Sequence, residues 1–90
     1  MFTCNFTTKF KRDYKRVLKR GWDMNLFENV YDLLAEKGEL PQNYKSHGLT
    51  GNWIGYIDVH IQPNWVLIYK INKSDWSIDF VRMGTHADLF

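Results

Sequence analysis

Trp53-Ile54-Gly55-Tyr56-Ile57-Asp58-Val59-His60-Ile61, Trp65-Val66-Leu67-Ile68-Tyr69-Lys70-Ile71 and Trp76-Ser77-Ile78-Asp79-Phe80-Val81-Arg82 are the three runs that decide the fold. Each is rich in β-branched and aromatic residues, which suit a pleated, half-buried surface. Two polar turns separate them. The first is Gln62-Pro63-Asn64-Trp65, with proline where a fixed φ favours a turn. The second is Asn72-Lys73-Ser74-Asp75. The pattern predicts three consecutive antiparallel strands.

Closing each hairpin on two residues, Pro63-Asn64 and Ser74-Asp75, sets a register. It places His60 opposite Leu67, and Leu67 opposite Arg82. Alternation then gives one face His60, Leu67, Arg82, Asp58, Tyr69 and Phe80. The other face receives Ile57, Val59, Ile61, Val66, Ile68, Val81 and Met83, together with Lys70 opposite Asp79 as a cross-strand ion pair. The second face is the expected core face. The first displays His60 and Arg82 two strands apart, about 10 Å at the backbone, a gap that fits one phosphodiester group.

At the N-terminus, Phe2 to Phe6 forms a short strand at a sheet edge or beside the C-terminal strands. Thr7 or Thr8 caps a first helix that runs to about Arg20, with Phe10, Tyr14, Val17 and Leu18 as its buried stripe and Gly21 at its end. A second helix starts near Asp23 or Asn25, where Asn25 and Glu28 have capping-box spacing. Its apolar stripe is Phe27, Val30, Tyr31 and Leu34, and Gly38 stops it. Two helices so closely joined form a hairpin on the apolar sheet face. The expected fold is α+β: two N-terminal helices packed on a small, mainly antiparallel sheet, one domain over 1–90. The stretch Glu39 to Asn52 is a loop with Pro41, Gly48 and Gly51, and it holds His47. Gly84 breaks the last strand, leaving room for one helical turn before Phe90.

The chain has 90 residues and one cysteine, Cys4, so an intrachain disulfide is excluded. No apolar run approaches membrane-spanning length, and the N-terminus lacks a signal-peptide pattern; a cytoplasmic protein with no membrane partner is expected. Charge is uneven. Lys9, Lys11, Arg12, Lys15, Arg16, Lys19 and Arg20 face one acid, Asp13, so this segment is +6 and the remainder −4 of a total +2. Such a stripe is either a solvated helix face or a surface for a polyanion or acidic protein.

Three histidines occupy the long loop (His47), a strand end (His60) and the position just past a strand end (His86). All three can approach one region of the polar sheet face with Arg82. Metal-free RNA cleavage needs that set. One group takes a proton from the ribose 2′-OH, another gives one to the leaving 5′-oxygen, and a cation stabilises the phosphorane between. A zinc site fits less well, because the histidines include no i, i+4 pair and no supporting cysteine. No cofactor is expected.

The residues resemble the YafQ branch of the RelE-like toxins of type II toxin–antitoxin systems. The matching pieces are Tyr44-Lys45-Ser46-His47-Gly48-Leu49 with Gly51-Asn52-Trp53, then Asp58-Val59-His60, then Pro63-Asn64-Trp65-Val66-Leu67-Ile68-Tyr69, and Arg82-Met83-Gly84-Thr85-His86 with Leu89-Phe90. The resemblance implies a ribosome-dependent endoribonuclease that cuts mRNA and arrests translation. It implies catalytic roles for His47, His60, His86 and Arg82, with Phe90 as the C-terminal aromatic. It also implies a cognate antitoxin, and operator DNA bound only through the antitoxin complex. The family often has aspartate where this chain has Asn64. An amide accepts no proton near neutrality, so Asn64 is expected to contact substrate by hydrogen bonds. That departure supports an alternative, a non-catalytic RNA-binding module or an antitoxin-dependent corepressor. Lys11, Arg12, Lys15 and Arg16 on the basic helix are the expected docking cations for ribosomal RNA or the antitoxin.

Overall fold

The computed structural model describes residues 1–90. Strand β1 is Thr3–Phe6, followed by helices α1, Thr8–Lys19, and α2, Met24–Lys37. A two-residue strand β2, His47–Gly48, precedes the meander β3, Ile57–Gln62, β4, Trp65–Asn72, and β5, Ser77–Gly84. One helical turn, α3, His86–Leu89, ends the chain. The five strands form one sheet in the order β1-β5-β4-β3-β2, with β1 parallel to β5 and every other pair antiparallel. This is the expected α+β class.

The helix ends follow their side-chain chemistry. The Thr7 hydroxyl accepts the Phe10 N–H at 3.0 Å and caps α1, and it donates to the Val81 carbonyl, tying that helix start to β5. Helix α2 is capped by Asp23, which accepts from the Asn25 N–H; Asn25 is inside the helix, not its cap. Asp23 takes the cap because the helix begins at Met24 and the extended backbone of Asp23 aims its carboxylate at the free N–H of the second helical residue. Gly38 closes α2 in the left-handed region at φ 72°, against the Phe2 ring: a Cβ there would lie 2.5 Å from it.

The first hairpin closes where the turn residues predict, at Gln62↔Trp65, whereas the second keeps the expected register but closes one pair earlier, at Asn72↔Ser77, instead of on Ser74-Asp75. The second turn is four residues, Lys73 to Trp76, so Trp76 is outside the strand, at φ 55°. Beyond each closure the register slips by one. A bulge between His60 and Gln62 pairs His60 with Val66 instead of Leu67. A second, between the Tyr69↔Phe80 and Ile68↔Arg82 pairs, leaves Val81 as the extra residue and places Arg82 opposite Ile68. The expected faces are corrected accordingly. Leu67, Tyr69 and Phe80 belong to the helix-covered core with Val59, Ile61, Ile78 and Met83. Val66, Ile68 and Val81 lie on the histidine face. Lys70 does oppose Asp79, but the expected ion pair is absent: Asp79 accepts from the Asn5 and Asn72 amides, and the Lys70 ammonium lies 5.4 Å from the Tyr56 ring centre.

The core is aromatic. Phe80 stands within 5.3–6.1 Å of the ring centres of Phe6, Phe10, Phe27 and Tyr31. Val17, Val30 and Leu34 fill the rest of the helix interface. Leu18, expected in the α1 stripe, is 55% exposed, whereas Asp13 is 1% exposed. Trp53 and Tyr56, expected in the first strand, precede it; Trp53 ends a 3-10 turn, and Gly55 at φ 91° turns the chain into β3.

Candidate active site

Two rows of residues cross the face of the sheet opposite α1 and α2. One runs His47, Asp58, Ile68, Arg82 from β2 to β5, and the next runs His60, Val66, Gly84. The bulges build these rows, because without them His60 and Arg82 would both oppose Leu67. Val66 and Ile68 form an apolar floor with Leu89, closed at its sides by Leu49, Trp53, Tyr56 and Val81. So this face has a small core of its own, which seats the C-terminal turn.

That turn brings His86 to His60, with ring centres 5.5 Å apart and the planes at 62°. Phe90 lies 6.1 Å from His86 and 6.4 Å from Trp53. His47 stands beside Asp58, with Nδ1 3.8 Å from Oδ1; this is too long for a hydrogen bond, and that buried oxygen has no other partner. His47 is 66% exposed, so its ring can swing to close the gap. Asn64 sits exposed in the β3–β4 turn, lining a shallow cavity of about 410 Å³ with Trp22, Gln62, Pro63 and Trp65.

Arg82 shares the face, but Asp13 holds its guanidinium. Nε donates to Oδ2 at 2.7 Å and Nη2 to Oδ1 at 3.2 Å. Asp13 also accepts the Met83 N–H at 3.0 Å and the Arg16 guanidinium at 2.8 Å. A buried carboxylate demands such company. The Asp13 hydrogen bonds raise the Arg82 pKa further above its ordinary value, against a smaller opposing effect of burial. Asp13 is a partner of Arg82 that the charge pattern alone does not single out, although its spacing marks it: it is i+3 from Phe10 and i−4 from Val17, on the buried stripe of α1.

The basic helix divides into two sets. Arg16 and Arg20 bind Asp88, Arg20 through both nitrogens at 2.7 and 3.1 Å. This hydrogen bonding by Arg20, with donors from Thr85, holds the Asp88 carboxyl well below the usual range. Lys11, Arg12 and Lys15 are exposed and make no salt bridge. Lys11 and Lys15 flank an aromatic groove of about 510 Å³ formed by Phe6, Phe10, Tyr14, Phe27 and Tyr31. That groove is on the helix side, away from the histidines. No group of three or more His, Cys, Asp or Glu is arranged to hold a metal ion.

Fold and site together define a small α+β protein with a histidine-lined, partly open sheet face. Residues 2–90 match the sequence profile of the family described as "Bacterial toxin of type II toxin-antitoxin system, YafQ". The chain belongs to this YafQ family of type II toxin–antitoxin toxins. It is 42% identical over 86 residues to the mRNA interferase toxin YafQ of Escherichia coli (strain K12), covering 94% of this chain and 91% of that one. Its structure matches YafQ in the E. coli DinJ–YafQ complex with a TM-score of 0.90 at 40% identity, over 100% of this chain and 99% of the other. A metal-bound toxin from Helicobacter pylori matches with a TM-score of 0.91 at 34% identity, over 100% of both chains.

Proposed function

We propose that this toxin is an endoribonuclease that cuts mRNA on the ribosome in the cytoplasm, and that a cognate antitoxin restrains it. The observation that carries the reading is the His60–His86 pair, two imidazoles 5.5 Å apart above an apolar floor, with His47 and Arg82 on the same face. Imidazole exchanges protons near neutral pH, so two of them can serve as base and acid. One takes the 2′-OH proton as the 2′-oxygen attacks the adjacent phosphorus. The other protonates the 5′-oxygen as its bond to phosphorus breaks. The products are a 2′,3′-cyclic phosphate and a 5′-hydroxyl. Asp13 occupies the Nε–Nη2 edge of Arg82 and leaves Nη1 free to donate to the phosphorane. His47, whose Nδ1 stands 3.8 Å from Asp58 Oδ1, is the third candidate for proton transfer.

Phe90 beside His86 and Trp53 offers a surface for stacking a base. Asn64 supplies an amide to the phosphate or a histidine. Lys11, Arg12 and Lys15 bind ribosomal RNA or the antitoxin, whereas Arg16 is engaged within the fold. Operator DNA is reached only through the antitoxin complex. The E. coli DinJ–YafQ complex supports the antitoxin partner.

The test is translation in vitro with and without a chelator. The expected result is mRNA cut to 2′,3′-cyclic phosphate ends in both. Intact mRNA would favour the non-catalytic RNA-binding or corepressor reading, to which Asn64 lends its support. Cleavage lost on chelation would indicate metal-dependent chemistry.

A further inference from the structure

We propose that Arg20 and Asp88 are positioning residues, whose ion pair clamps the C-terminal turn to the end of α1 and thereby fixes His86 against His60. The inference rests on the nuclease reading above, in which His86 acts on the RNA.

Helix α3 has four residues, far too few to be stable alone. Its position must come from what it touches. Leu89 is buried on Val66 and Ile68, which anchors one side only. The other side is held by charge. Asp88 accepts two hydrogen bonds from Arg20, lies 3.3 Å from Arg16 Nη1, and accepts the Thr85 N–H at 2.9 Å in a capping box. The bidentate Arg20 fork fixes orientation as well as distance. Gly84 leaves the room for it: a Cβ at that position would lie 2.7 Å from the Asp88 carboxylate. His86 is the first residue of this turn and Asp88 the third, so a carboxylate fixed on α1 fixes the imidazole one half-turn away. The clamp joins residues 68 apart in sequence, so neither local helix propensity nor the apolar floor supplies it. It also withdraws Arg20 and Arg16 from the cationic surface offered to RNA.

The test uses the full chain with Arg20→Gln, Arg20→Lys, Asp88→Asn and the double variant Arg20→Gln/Asp88→Asn, each checked by circular dichroism and thermal melting. Asp88→Asn retains an oxygen for the Thr85 N–H and so preserves the cap. Two quantities are measured: single-turnover mRNA cleavage at saturating ribosomes, and ribosome affinity. Nuclear magnetic resonance follows the Overhauser contact between the His60 and His86 rings. Both neutral single variants should lose about ten- to a hundredfold in the cleavage step, the cost of a misplaced group. Affinity should change less than about twofold, the double variant should lose little more than either single, and Arg20→Lys should recover part of the loss. The ring contact should weaken in step. Arg20→Gln with weaker ribosome affinity but an unchanged cleavage step would overturn the proposal in favour of docking. So would an Asp88→Asn variant that cuts like wild type and keeps the ring contact. If wild type itself does not cut but the variants lose the ring contact, the clamp stands and the nuclease reading fails.

Discussion

The two faces of the sheet are stabilised by different means. The helix-covered face is dry and aromatic, with Phe80 at the centre of a ring cluster drawn from β1, α1 and α2. The histidine face has a floor of only Val66, Ile68 and Leu89, and a chain of ion pairs running Arg82–Asp13–Arg16–Asp88–Arg20 ties its Arg82 and the C-terminal turn to α1. Apolar burial is non-directional and tolerates small shifts, whereas a guanidinium–carboxylate pair sets both angle and distance. The first face therefore specifies that the chain folds. The second specifies where a few side chains stand.

The largest effect is expected on the helix side. Phe80→Ala removes the ring against which four others pack and leaves a cavity where two layers meet. It should cost about 3–5 kcal/mol of stability, measured by denaturant unfolding. In such a small protein that is a large share of the total. Variant protein that remains folded at low temperature should still cut RNA, because no histidine touches Phe80. A specific cleavage defect in fully folded protein, with stability unchanged, would show that the two faces are not separable in this way.

Arg82 is the corresponding break on the other face. Removing one preorganised donor from a developing charge costs about 100- to 1000-fold in rate. Arg82→Ala should lose that much in single-turnover cleavage, and Arg82→Lys less, since it keeps charge but loses the fork that grips Asp13. Melting will shift too, because Asp13 retains only Arg16 and the Met83 N–H. Arg82→Ala within a few-fold of wild type would assign this residue wholly to the ion-pair chain.

The difference between the faces also explains what is legible in the chain without its structure. Hydrophobic period and turn chemistry report on the dry face: Thr7, Gly21 and Gly38 bound the helices, Phe10, Val17, Phe27, Val30 and Leu34 mark their stripes, and Pro63-Asn64 places a hairpin. The bulges at Ile61 and Val81 leave no mark, because neither residue is the glycine or proline that would signal one. Each slip is a single residue, yet it moves Leu67 and Tyr69 into the core and puts Val66 and Ile68 under the histidines. The histidines and Arg82 can be named as candidates without that detail, since their chemistry singles them out. Asp88 cannot, because its meaning depends on Arg20 lying across a tertiary contact. Asp13 stands in view, the one acid among seven cations and on the buried stripe, but a count of charge hides its role.

A gentler probe separates the two uses of the basic helix. Lys11, Arg12 and Lys15 make no salt bridge, so converting them to Gln leaves both the core and the ion-pair chain intact. Cations on a phosphate backbone act through counterion release. The triple variant should bind ribosomes roughly tenfold more weakly at moderate salt, and its salt slope should flatten by about two, given about 0.7–0.9 per phosphate contact. The cleavage step at saturation should not change. Identical binding across a salt series would move these side chains from RNA to the antitoxin.

The smallest effect expected is at Asn64, and it decides whether this face works without a carboxylate in the hairpin turn. Asn64 is exposed between Pro63 and Trp65, two residues before Val66, the strand partner of His60. Its amide can donate to a phosphate oxygen or to an imidazole, but it cannot take a proton near neutrality. A single neutral hydrogen bond contributes about 1 kcal/mol, or roughly five- to tenfold in rate. Proton transfer by a positioned side chain contributes about 100- to 10,000-fold. Asn64→Ala should therefore lose about tenfold at most, and His86→Ala at least about 100-fold, in single-turnover cleavage on programmed ribosomes. Both positions are exposed, so both variants should melt close to wild type. If Asn64→Ala proved the more damaging change, the proton transfers would have to pass through the turn, and His60 and His86 could not be the base and acid. Asn64→Asp sharpens the same point from the other side. If the histidines suffice, adding the carboxylate should raise the rate by no more than a hydrogen bond's worth; a gain of about a hundredfold, the scale of a proton transfer, would mean that the wild-type face lacks its base.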